Sequence, residues 1–375
     1  MRESPEHDVI RLDPGRTAGY DVIVEPGVLA RLADIAAVAA PASRYAIISD
    51  ATVAGLYGAT VRRQFERKGL TADLFTFPAG EASKTRSTWS ALTDDLLAHG
   101  VGRDGCVVAL GGGVTGDLGG FVAATYMRGV PVVQVPTSLL AMIDAAIGGK
   151  TGVDVHQGKN LVGAFHQPRV VVADPELLHT LPAADLRAGC AEAIKHGAIA
   201  DARYLDWLEQ NARAVLAGEV PALHALVAGS ARIKAEFVAA DVREAGVRTA
   251  LNFGHTLGHA IEATLDYGIP HGRAVAIGMV LEAELGERLG VSHAGTAARL
   301  AGAVQTFELP TDPPGGTDPD AVLAATRLDK KARAGRVRYT LLAQPGAVAR
   351  APDGAWTHRV DDGPVRTTLG GGSAA

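Results

Sequence analysis

Two histidines four residues apart, in the run at residues 252–259 (NFGHTLGH), are the side chains of this chain best suited to hold a metal ion. The run is expected to be helical, so that His255 and His259 project from one face. Such a pair recurs in metal sites, usually with a carboxylate as a further ligand. A third histidine, His271, follows at the expected start of the next helix. Spacing alone selects His255 and His259 as the pair and leaves the role of His271 open.

A carboxylate that could complete this site is Glu192, in the run at residues 190–195 (CAEAIK). Glu192 and Lys195 are three positions apart and therefore share one face of a predicted helix. A histidine in a helix is more often a core or surface residue than a metal ligand. Three histidines close together among glycines favour the metal site.

The glycine-rich run at residues 111–117 (GGGVTGD) follows an apolar predicted strand and opens a predicted helix. Its G-x-G-x-x-G spacing lets backbone N–H groups approach a pyrophosphate at a helix N-terminus. A tight turn without a ligand would show the same spacing. The next strand ends at residues 136–137 (PT) rather than at an acidic residue, which departs from the usual dinucleotide fingerprint. Asp50, at the end of an earlier strand, is the better candidate for a ribose hydroxyl, and we expect a dinucleotide in a less familiar topology.

A group of charged and amide side chains follows, interleaved with glycines at residues 148, 149 and 158. Lysines in glycine-rich loops suit a phosphate or carboxylate ligand, because the backbone folds closely and the ammonium acts as a point charge. A surface lysine is often simply solvated, but two in neighbouring loops favour an anion site. The group comprises Arg128, Asp144, Lys150, Lys159 and Asn160.

Strand-like and helix-like segments alternate over the first 180 residues, as in an α/β domain. A helix is predicted over residues 53–68. The predicted strands lie at residues 20–24, 45–49, 74–77, 105–110, 130–135 and 170–173.

After residue 182, long segments rich in Ala, Leu and Glu predict helices, and a late strand is predicted over residues 336–342. We therefore predict an α/β domain over residues 1–180, a mostly helical domain over residues 181–350 and a disordered tail over residues 351–375. The predicted helices lie at residues 183–199, 204–216, 222–240, 255–265 and 272–289.

The composition argues against several classes of function. The chain has 375 residues, and its net charge of −5 gives no reason to expect binding to nucleic acid or an anionic membrane. No uncharged apolar stretch reaches the roughly 20 residues that span a bilayer, and the polar N-terminus argues against a signal peptide. Cys106 and Cys190 lie among apolar or small residues and are expected to be buried thiols, as in a reducing cytoplasm. We expect a cytoplasmic protein.

These runs together resemble the 3-dehydroquinate synthase family of sugar-phosphate cyclases. The resemblance extends over roughly residues 20–345, in the family's order, and the motifs together are highly specific. It rests on the runs quoted above and on the matching runs at residues 80–85 (GEASKT), 126–129 (YMRG), 135–140 (VPTSLL), 148–152 (GGKTG), 158–165 (GKNLVGAF), 180–182 (TLP), 251–262 (LNFGHTLGHAIE), 271–279 (HGRAVAIGM) and 329–331 (DKK).

The resemblance implies an α/β N-terminal domain that binds NAD, a mostly α-helical C-terminal domain that binds a metal, and an active site in the cleft between them. The family converts 3-deoxy-D-arabino-heptulosonate 7-phosphate into 3-dehydroquinate and phosphate, the second step of the shikimate pathway. NAD transiently oxidises the C5 hydroxyl, which acidifies the neighbouring C–H so that phosphate can be eliminated. Reduction, ring opening and an intramolecular aldol step follow. The resemblance also implies a divalent metal, Zn²⁺ or Co²⁺, and a homodimer.

Roles for individual residues are implied by the same resemblance. The resemblance implies that the metal ligands are Glu192, His255 and His271. His259 is then reassigned to hydrogen bonding or proton transfer near the substrate. The residues implied in catalysis are Lys150, Lys195, Asn252, His259 and the orienting acids Asp144 and Glu244. The implied substrate contacts are Lys150, Asn160, Lys195, Lys234, Arg248, Asn252, His259, Lys330 and, from a neighbouring subunit, Arg128. The implied NAD contacts are Asp50, Glu81, Lys84, Gly113, Val114, Thr115, Gly116, Asp117, Thr137, Ser138, Lys159 and Thr180.

Two departures from the family pattern leave every reacting group in place. Ser138 stands where the family commonly has Thr, so the hydroxyl is kept, and Asp154 stands where Asn is frequent.

Other sugar-phosphate cyclases, such as 2-epi-5-epi-valiolone, 2-deoxy-scyllo-inosose or amino-dehydroquinate synthases, share the NAD and metal chemistry. Arg248, Lys234 and Lys330 favour a substrate with both carboxylate and phosphate, although an aminated analogue would satisfy the same contacts. A metal-dependent polyol dehydrogenase is a more remote alternative, and a non-catalytic protein would not need this arrangement.

Overall fold

The computed structural model describes residues 7–15, 19–265, 268–328 and 337–370. These residues form two compact units. Unit 1 comprises Met1–Leu181 and Val220–Val242, and unit 2 comprises Pro182–Glu219 and Arg243–Ala375, within the described ranges. No helix of the described residues has both the length and the apolar character to cross a membrane.

A largely parallel sheet is the centre of unit 1, in the order β1-β2-β9-β6-β5-β3-β4, with an antiparallel edge pair β1–β2. A separate antiparallel hairpin is formed by β7 and β8. The central strands are continuous apolar runs because helices can cover both faces of a parallel sheet. The strands are β1 (Asp8–Leu12), β2 (Tyr20–Val24), β3 (Arg44–Asp50), β4 (Thr71–Phe77), β5 (Cys106–Gly111), β6 (Val132–Pro136), β7 (Lys150–Val155), β8 (Gly158–Phe165) and β9 (Val170–Ala173).

The six predicted strands of this unit are all confirmed, as β2, β3, β4, β5, β6 and β9. Strand β1 and the hairpin were not predicted, because the side chains along β1, apart from Leu12, and along β8 are exposed or half-buried and give no continuous apolar run. Lys150, Lys159 and Asn160 therefore lie on hairpin strands, where the sequence had suggested loops.

The described residues of unit 1 include five α-helices from the first half of the chain. The helix predicted over residues 53–68 is interrupted by a π-helical turn, Ala54–Gly58, which contains two glycines that weaken a regular helix. The helices are α1 (Leu32–Ala39), α2 (Ala51–Val53), α3 (Ala59–Arg67), α4 (Arg86–Ala98) and α5 (Gly113–Thr125).

The rest of the chain is mostly helical, as predicted. A single late strand was expected over residues 336–342, and the structure has two short strand pairs there and beyond, β10 (Arg338–Tyr339) with β13 (His358–Arg359) and β11 (Leu342–Gln344) with β12 (Ala347–Val348). The helices are α6 (Ala183–Ala200), α7 (Ala202–Leu216), α8 (Val220–Ala240), α9 (His255–Thr264), α10 (His271–Arg288), α11 (Thr296–Thr306), α12 (Pro319–Leu328) and α13 (Asp362–Leu369).

Helix α8 belongs to unit 1, which differs from the predicted contiguous domain over residues 181–350. It packs on β1 and on the π-helical turn Ala141–Ala145. Buried His224 of α8 lies 3.3 Å from the carbonyl oxygen of Val24, and Lys234 lies 2.5 Å from Asp144. Helical periodicity shows which face of α8 is apolar, but it does not show which unit that face packs on.

The predicted disordered tail also differs from the structure. Residues 358–359 pair with β10, and residues 362–369 form α13, whose Val365 is 1% exposed in the core of unit 2. Val365 packs there with Leu257, Ile261 and other apolar side chains. The small, polar end of the sequence suggested disorder, but apolar residues spaced on one helix face anchor the segment. Residues 371–375 lie outside the described part of the chain.

We expect Val365→Ala to lower the free energy of unfolding of unit 2 by about 1–3 kcal/mol, because it removes buried apolar surface and leaves a cavity. Val38→Ala is the control, since Val38 is 84% exposed and its truncation should change stability little. Urea denaturation of both variants measures the effect. Equal midpoints for Val365→Ala and the unmodified protein would show that the segment is not anchored as described.

Candidate active site

Glycines bring the backbones of three helices of unit 2 into contact. An added Cβ at Gly278 of α10 would lie 2.0 Å from the carbonyl oxygen of Gly254, which precedes α9. An added Cβ at Gly272 would lie 1.9 Å from the carbonyl oxygen of Ala188 in α6, and one at Gly258 would lie 2.9 Å from the backbone of α10. Only glycine permits such close approach. The helices are therefore near enough for their neighbouring side chains to meet.

Three histidines meet where these helices approach one another. The ring centroids of His255 and His259 are 5.2 Å apart, and that of His271 lies 5.4 and 5.5 Å from them. One ring nitrogen from each lies within 4.8 Å of the others. The structure thus brings together all three histidines that the sequence singled out.

Glu192 faces two of these histidines from α6. Its carboxylate is 1% exposed, and Oε1 lies 3.4 Å from Nε2 of His255 and 3.6 Å from Nε2 of His271. Lys195 forms an ion pair with the other oxygen, Oε2. Burial opposes ionisation of Glu192, but the Lys195 ammonium and the histidines outweigh it and hold its pKa well below the usual range. Glu192 is therefore a buried anion facing two imidazole nitrogens.

Hydrogen bonds at Nδ1 orient both of these histidines. Nδ1 of His255 lies 3.1 Å from the carbonyl oxygen of Phe253, and Nδ1 of His271 lies 3.2 Å from Oε2 of Glu262. Both partners are acceptors, so each Nδ1 carries the proton and each Nε2 is directed at Glu192. A carbonyl or carboxylate behind a ligating histidine is the usual support in metal sites.

The two histidines differ in how readily they hold a second proton. Burial, with the charge of Lys195, lowers the pKa of His255 to about 3, which keeps its imidazole neutral. Burial also opposes protonation of His271, but hydrogen bonds and charges from Glu192 and Glu262 outweigh it and raise its pKa to about 9. Because a metal binds the neutral ring, an ion entering here would displace a proton from His271.

These donors fit a small divalent cation. Ligands at about 2.1 Å from a tetrahedral metal lie roughly 3.4 Å from one another. The separations from Oε1 of Glu192 to the two Nε2 atoms are 3.4 and 3.6 Å. Two imidazoles and one carboxylate are a donor set that Zn²⁺ and Co²⁺ accept. A ring nitrogen of His259 also lies within the cluster. That His259 is not a metal ligand therefore stays a prediction.

The run at residues 252–259 is not one continuous helix, contrary to the prediction. Asn252 ends a 3₁₀ helix, Val247–Asn252, and Gly254 adopts a left-handed conformation before α9 starts. Nδ2 of Asn252 donates to Oε1 of Glu244 at 2.8 Å, so a predicted orienting acid holds the amide of a predicted substrate contact. Arg248, in the same 3₁₀ helix, is 1% exposed. Lys330, a predicted substrate contact, lies outside the described residues.

In unit 1 several of the predicted NAD residues lie at the carboxyl ends of parallel strands, the usual ligand-binding edge of such a sheet. Asp50 ends β3, Gly111 ends β5, and Thr137 follows β6 and donates its N–H to the carbonyl oxygen of Gly111 at 2.9 Å. Oγ1 of Thr115 donates to Oδ2 of Asp50 at 3.2 Å.

The glycine loop leads into α5 as predicted. Gly113, Val114, Thr115 and Gly116 form its first turn, and the preceding residue, Gly112, has no side chain to cap its backbone N–H groups. The N–H of Gly116 donates to the carbonyl oxygen of Gly112 at 3.0 Å. An added Cβ at Gly111 would lie 2.3 Å from Oγ1 of Thr115, so this glycine is required by the protein's own packing. The uncapped first turn is the part of the loop that can receive an anion.

Two further predicted NAD residues, Lys84 and Ser138, contact the glycine loop or the start of α5, and Glu81 and Thr180 lie on other segments of unit 1. Buried Lys84 lies 2.5 Å from Asp117, and although burial opposes its charge, Asp117 raises the pKa of the Lys84 ammonium. Glu81 is exposed in a 3₁₀ turn just before Lys84. Oγ of Ser138 would lie 3.4 Å from a Cβ added at Gly112 of the loop. The hydroxyl of Thr180 shares a 2.8 Å hydrogen bond with the hydroxyl of Tyr57.

Backbone strain coincides with several predicted substrate residues. Among the described residues, five other than glycine have positive φ, a conformation that side chains disfavour. Arg128 (φ 68°), Asn160 (φ 54°) and Glu244 (φ 57°) are three of them. Strained residues concentrate at functional sites, where the surrounding structure holds them in place. The other two such residues, Met127 and Glu308, are not predicted site residues.

Two supporting contacts were not predicted. Glu262, which orients His271, is visible in the sequence only as part of a matching run. Asp154, a departure from the family pattern, accepts a hydrogen bond from the N–H of Asn160 at 2.7 Å and so holds the hairpin turn beside a predicted substrate residue.

Comparison with known protein families shows the family to which this chain belongs. The family models for the N-terminal and C-terminal parts of 3-dehydroquinate synthase match residues 74–188 and 189–332. The chain belongs to the 3-dehydroquinate synthase family. A 3-dehydroquinate synthase of Symbiobacterium thermophilum is 48% identical over 336 residues, which cover 89% of this chain and 94% of the relative. One from Xanthomonas axonopodis pv. citri is 49% identical over 343 residues, covering 89% and 92%.

Solved structures confirm the predicted fold of this 3-dehydroquinate synthase family member. A 2-deoxy-scyllo-inosose synthase complexed with carbaglucose-6-phosphate, NAD⁺ and Co²⁺ has a TM-score of 0.88 at 25% identity, covering 96% of this chain and 99% of that one. A 2-epi-5-epi-valiolone synthase of Streptomyces hygroscopicus subsp. jinggangensis with NAD⁺ and Zn²⁺ bound has a TM-score of 0.84 at 30% identity, covering 94% and 96%.

We expect His271→Ala to lose its bound metal and its activity together, because the substitution removes one of three proposed donors. His259→Ala is the matched comparison and should keep its metal while losing turnover. Metal content per chain, measured by plasma emission spectroscopy after dialysis, distinguishes the two. Full metal content in His271→Ala, or loss of metal in His259→Ala, would contradict the proposed ligand set.

Proposed function

We propose that this chain is a 3-dehydroquinate synthase, a carbon–oxygen lyase that converts 3-deoxy-D-arabino-heptulosonate 7-phosphate into 3-dehydroquinate and phosphate. NAD and a divalent metal, Zn²⁺ or Co²⁺, are its cofactors, and the reaction is a step of the shikimate pathway towards chorismate and the aromatic amino acids. The observation that carries the proposal is the buried Glu192 carboxylate facing His255 and His271, in a chain 48% identical to named synthases.

Glu192, His255 and His271 hold the metal in this proposal, and the carboxyl edge of the sheet holds NAD. When bound, NAD supplies a reversible hydride acceptor and the metal polarises substrate oxygens. The cradle for NAD is the uncapped first turn of α5, which suits a pyrophosphate. We assign a ribose hydroxyl to Asp50 at the end of β3 and a cation role towards NAD to Lys159 on β8.

The remaining proposed residues position the substrate and move its protons. Arg248 and Lys234 are buried cations suited to carboxylate or phosphate oxygens. Asp144 holds the Lys234 ammonium, and Glu244 holds the amide of Asn252.

Lys195 and His259 lie in unit 2 with the proposed metal ligands, and Lys195 is already paired with Glu192. Proton transfer at the substrate is proposed for His259 and Lys150.

Sequence identity favours 3-deoxy-D-arabino-heptulosonate 7-phosphate over the substrates of the related cyclases. The named 3-dehydroquinate synthases are 45–49% identical, whereas the solved inosose and valiolone cyclases are 25–30% identical. The proposed anion contacts also suit a substrate that carries both a carboxylate and a phosphate. An amino-dehydroquinate synthase would use the same contacts and is separated from this proposal by assay.

Purified protein with catalytic NAD and Zn²⁺ or Co²⁺ should release inorganic phosphate from 3-deoxy-D-arabino-heptulosonate 7-phosphate without net formation of NADH. Phosphate is measured colorimetrically and NADH by absorbance in the same sample. Sedoheptulose 7-phosphate is the control substrate because it lacks the carboxylate. Turnover of the control alone would overturn the proposal, and stoichiometric NADH would indicate a dehydrogenase.

We also propose a homodimer in which Arg128 reaches the phosphate site of the neighbouring subunit. Arg128 is exposed on unit 1, which is consistent with a contact to another subunit. Mixing inactive Arg128→Ala and His271→Ala subunits should then restore up to about a quarter of the activity, because half the dimers are mixed and each has one intact site. Subunit exchange without recovery would show that Arg128 acts within its own chain.

A further inference from the structure

Helix α9, which begins with His255, starts without a capping side chain of its own. Its first residue follows Gly254, whose φ of 77° is left-handed, and glycine has no side-chain oxygen to accept the exposed N–H groups. The acceptor comes from α10. Oε2 of Glu282 accepts the N–H of Gly254 at 2.8 Å, and Oε1 accepts those of Thr256 and Leu257 at 3.0 and 3.1 Å.

This carboxylate is fully buried, at 0% exposure. A buried charge is costly unless it is well compensated, and three N–H groups at the positive end of a helix provide that compensation. Two of the three donors, Gly254 and Thr256, are the residues on either side of His255. Glu282 therefore fixes the backbone from which a proposed metal ligand projects.

Glu282 also links two proposed ligands, because it stands on the helix that begins with His271. We propose that Glu282 is a positioning residue of the metal site, which sets His255 relative to His271 so that both Nε2 atoms face Glu192. The inference rests on the proposed metal-dependent function. Glu282 does not touch the metal or the substrate in this proposal, and it acts through the backbone of α9.

Glu282→Gln is the informative variant, because it keeps the shape of the side chain but replaces one acceptor oxygen with an NH₂ group. One end of the amide then faces a backbone N–H, and the start of α9 must shift. We expect the affinity for Co²⁺ to fall about 10- to 100-fold, the usual effect of losing a group that orients metal ligands. Most of the turnover should return at saturating Co²⁺.

Helix α10 also supplies a matched control. Oε1 of Glu287, five residues further along, accepts the N–H of Ala297 near the start of α11 at 2.8 Å, where no proposed ligand lies. Glu287→Gln removes the same negative charge from α10, but Glu287 accepts a single N–H, which the amide oxygen of Gln can still accept. Its Co²⁺ affinity should equal that of the unmodified protein, even if its melting temperature falls.

The measurement is a Co²⁺ titration of the full-length proteins against a competing chelator, with circular dichroism as a check of folding. Weaker binding by Glu282→Gln alone supports the inference. Unchanged binding in a folded Glu282→Gln protein, or equal weakening in both variants, overturns it. Absence of Co²⁺ and Zn²⁺ binding by the unmodified protein would instead contradict the proposed function.

Hydrogen exchange of the unmodified protein tests the same inference if Glu282→Gln does not fold. The N–H groups of Thr256 and Leu257 should be protected already in metal-free protein, because Glu282 binds them without the ion. Rapid exchange that becomes slow only after Co²⁺ is added would show that the metal orders the start of α9 and would overturn the role of Glu282.

Discussion

Backbone contact between α9 and α10, and between α10 and α6, is the constraint on which the metal site depends. Gly278 and Gly272 of α10 lie against the carbonyl oxygens of Gly254 and Ala188, at separations that a methyl group could not occupy. At ordinary helix separations of about 8–10 Å, side chains would fill the space between the axes. With glycine at these points, residues one position away in the sequence, such as His255, are left to face the site.

Charge is the second consequence of that packing. Glu192 becomes a buried anion, and its neighbours compensate it with Lys195 and with two imidazoles held from behind by Phe253 and Glu262. The arrangement resembles a metal site that is preformed by hydrogen bonds, so that the ligands need little rearrangement. Unit 1 follows the same principle, because strand ends and the Thr115–Asp50 bond fix the glycine loop beside an uncapped helix turn.

Much of this could be predicted from the sequence, because the β5 strand, its glycine loop and the clustered histidines have strong local patterns. Other features depend on partners that are distant in the chain. The placement of α8 in unit 1 depends on which sheet its apolar face meets, and the strained φ of Glu244 has no sequence signature. In the sequence, Glu282 is indistinguishable from any other glutamate in a helix. Only the structure shows that it is buried against the start of α9.

The central claim is that Glu192, His255 and His271 hold the metal while His259 does not. Anomalous diffraction at the cobalt edge, from crystals of the Co²⁺-loaded protein, tests it most directly. The account predicts one ion about 2.0–2.2 Å from a carboxylate oxygen of Glu192 and from Nε2 of His255 and His271. An ion bound by the three histidines, with Glu192 outside its coordination sphere, would contradict the account.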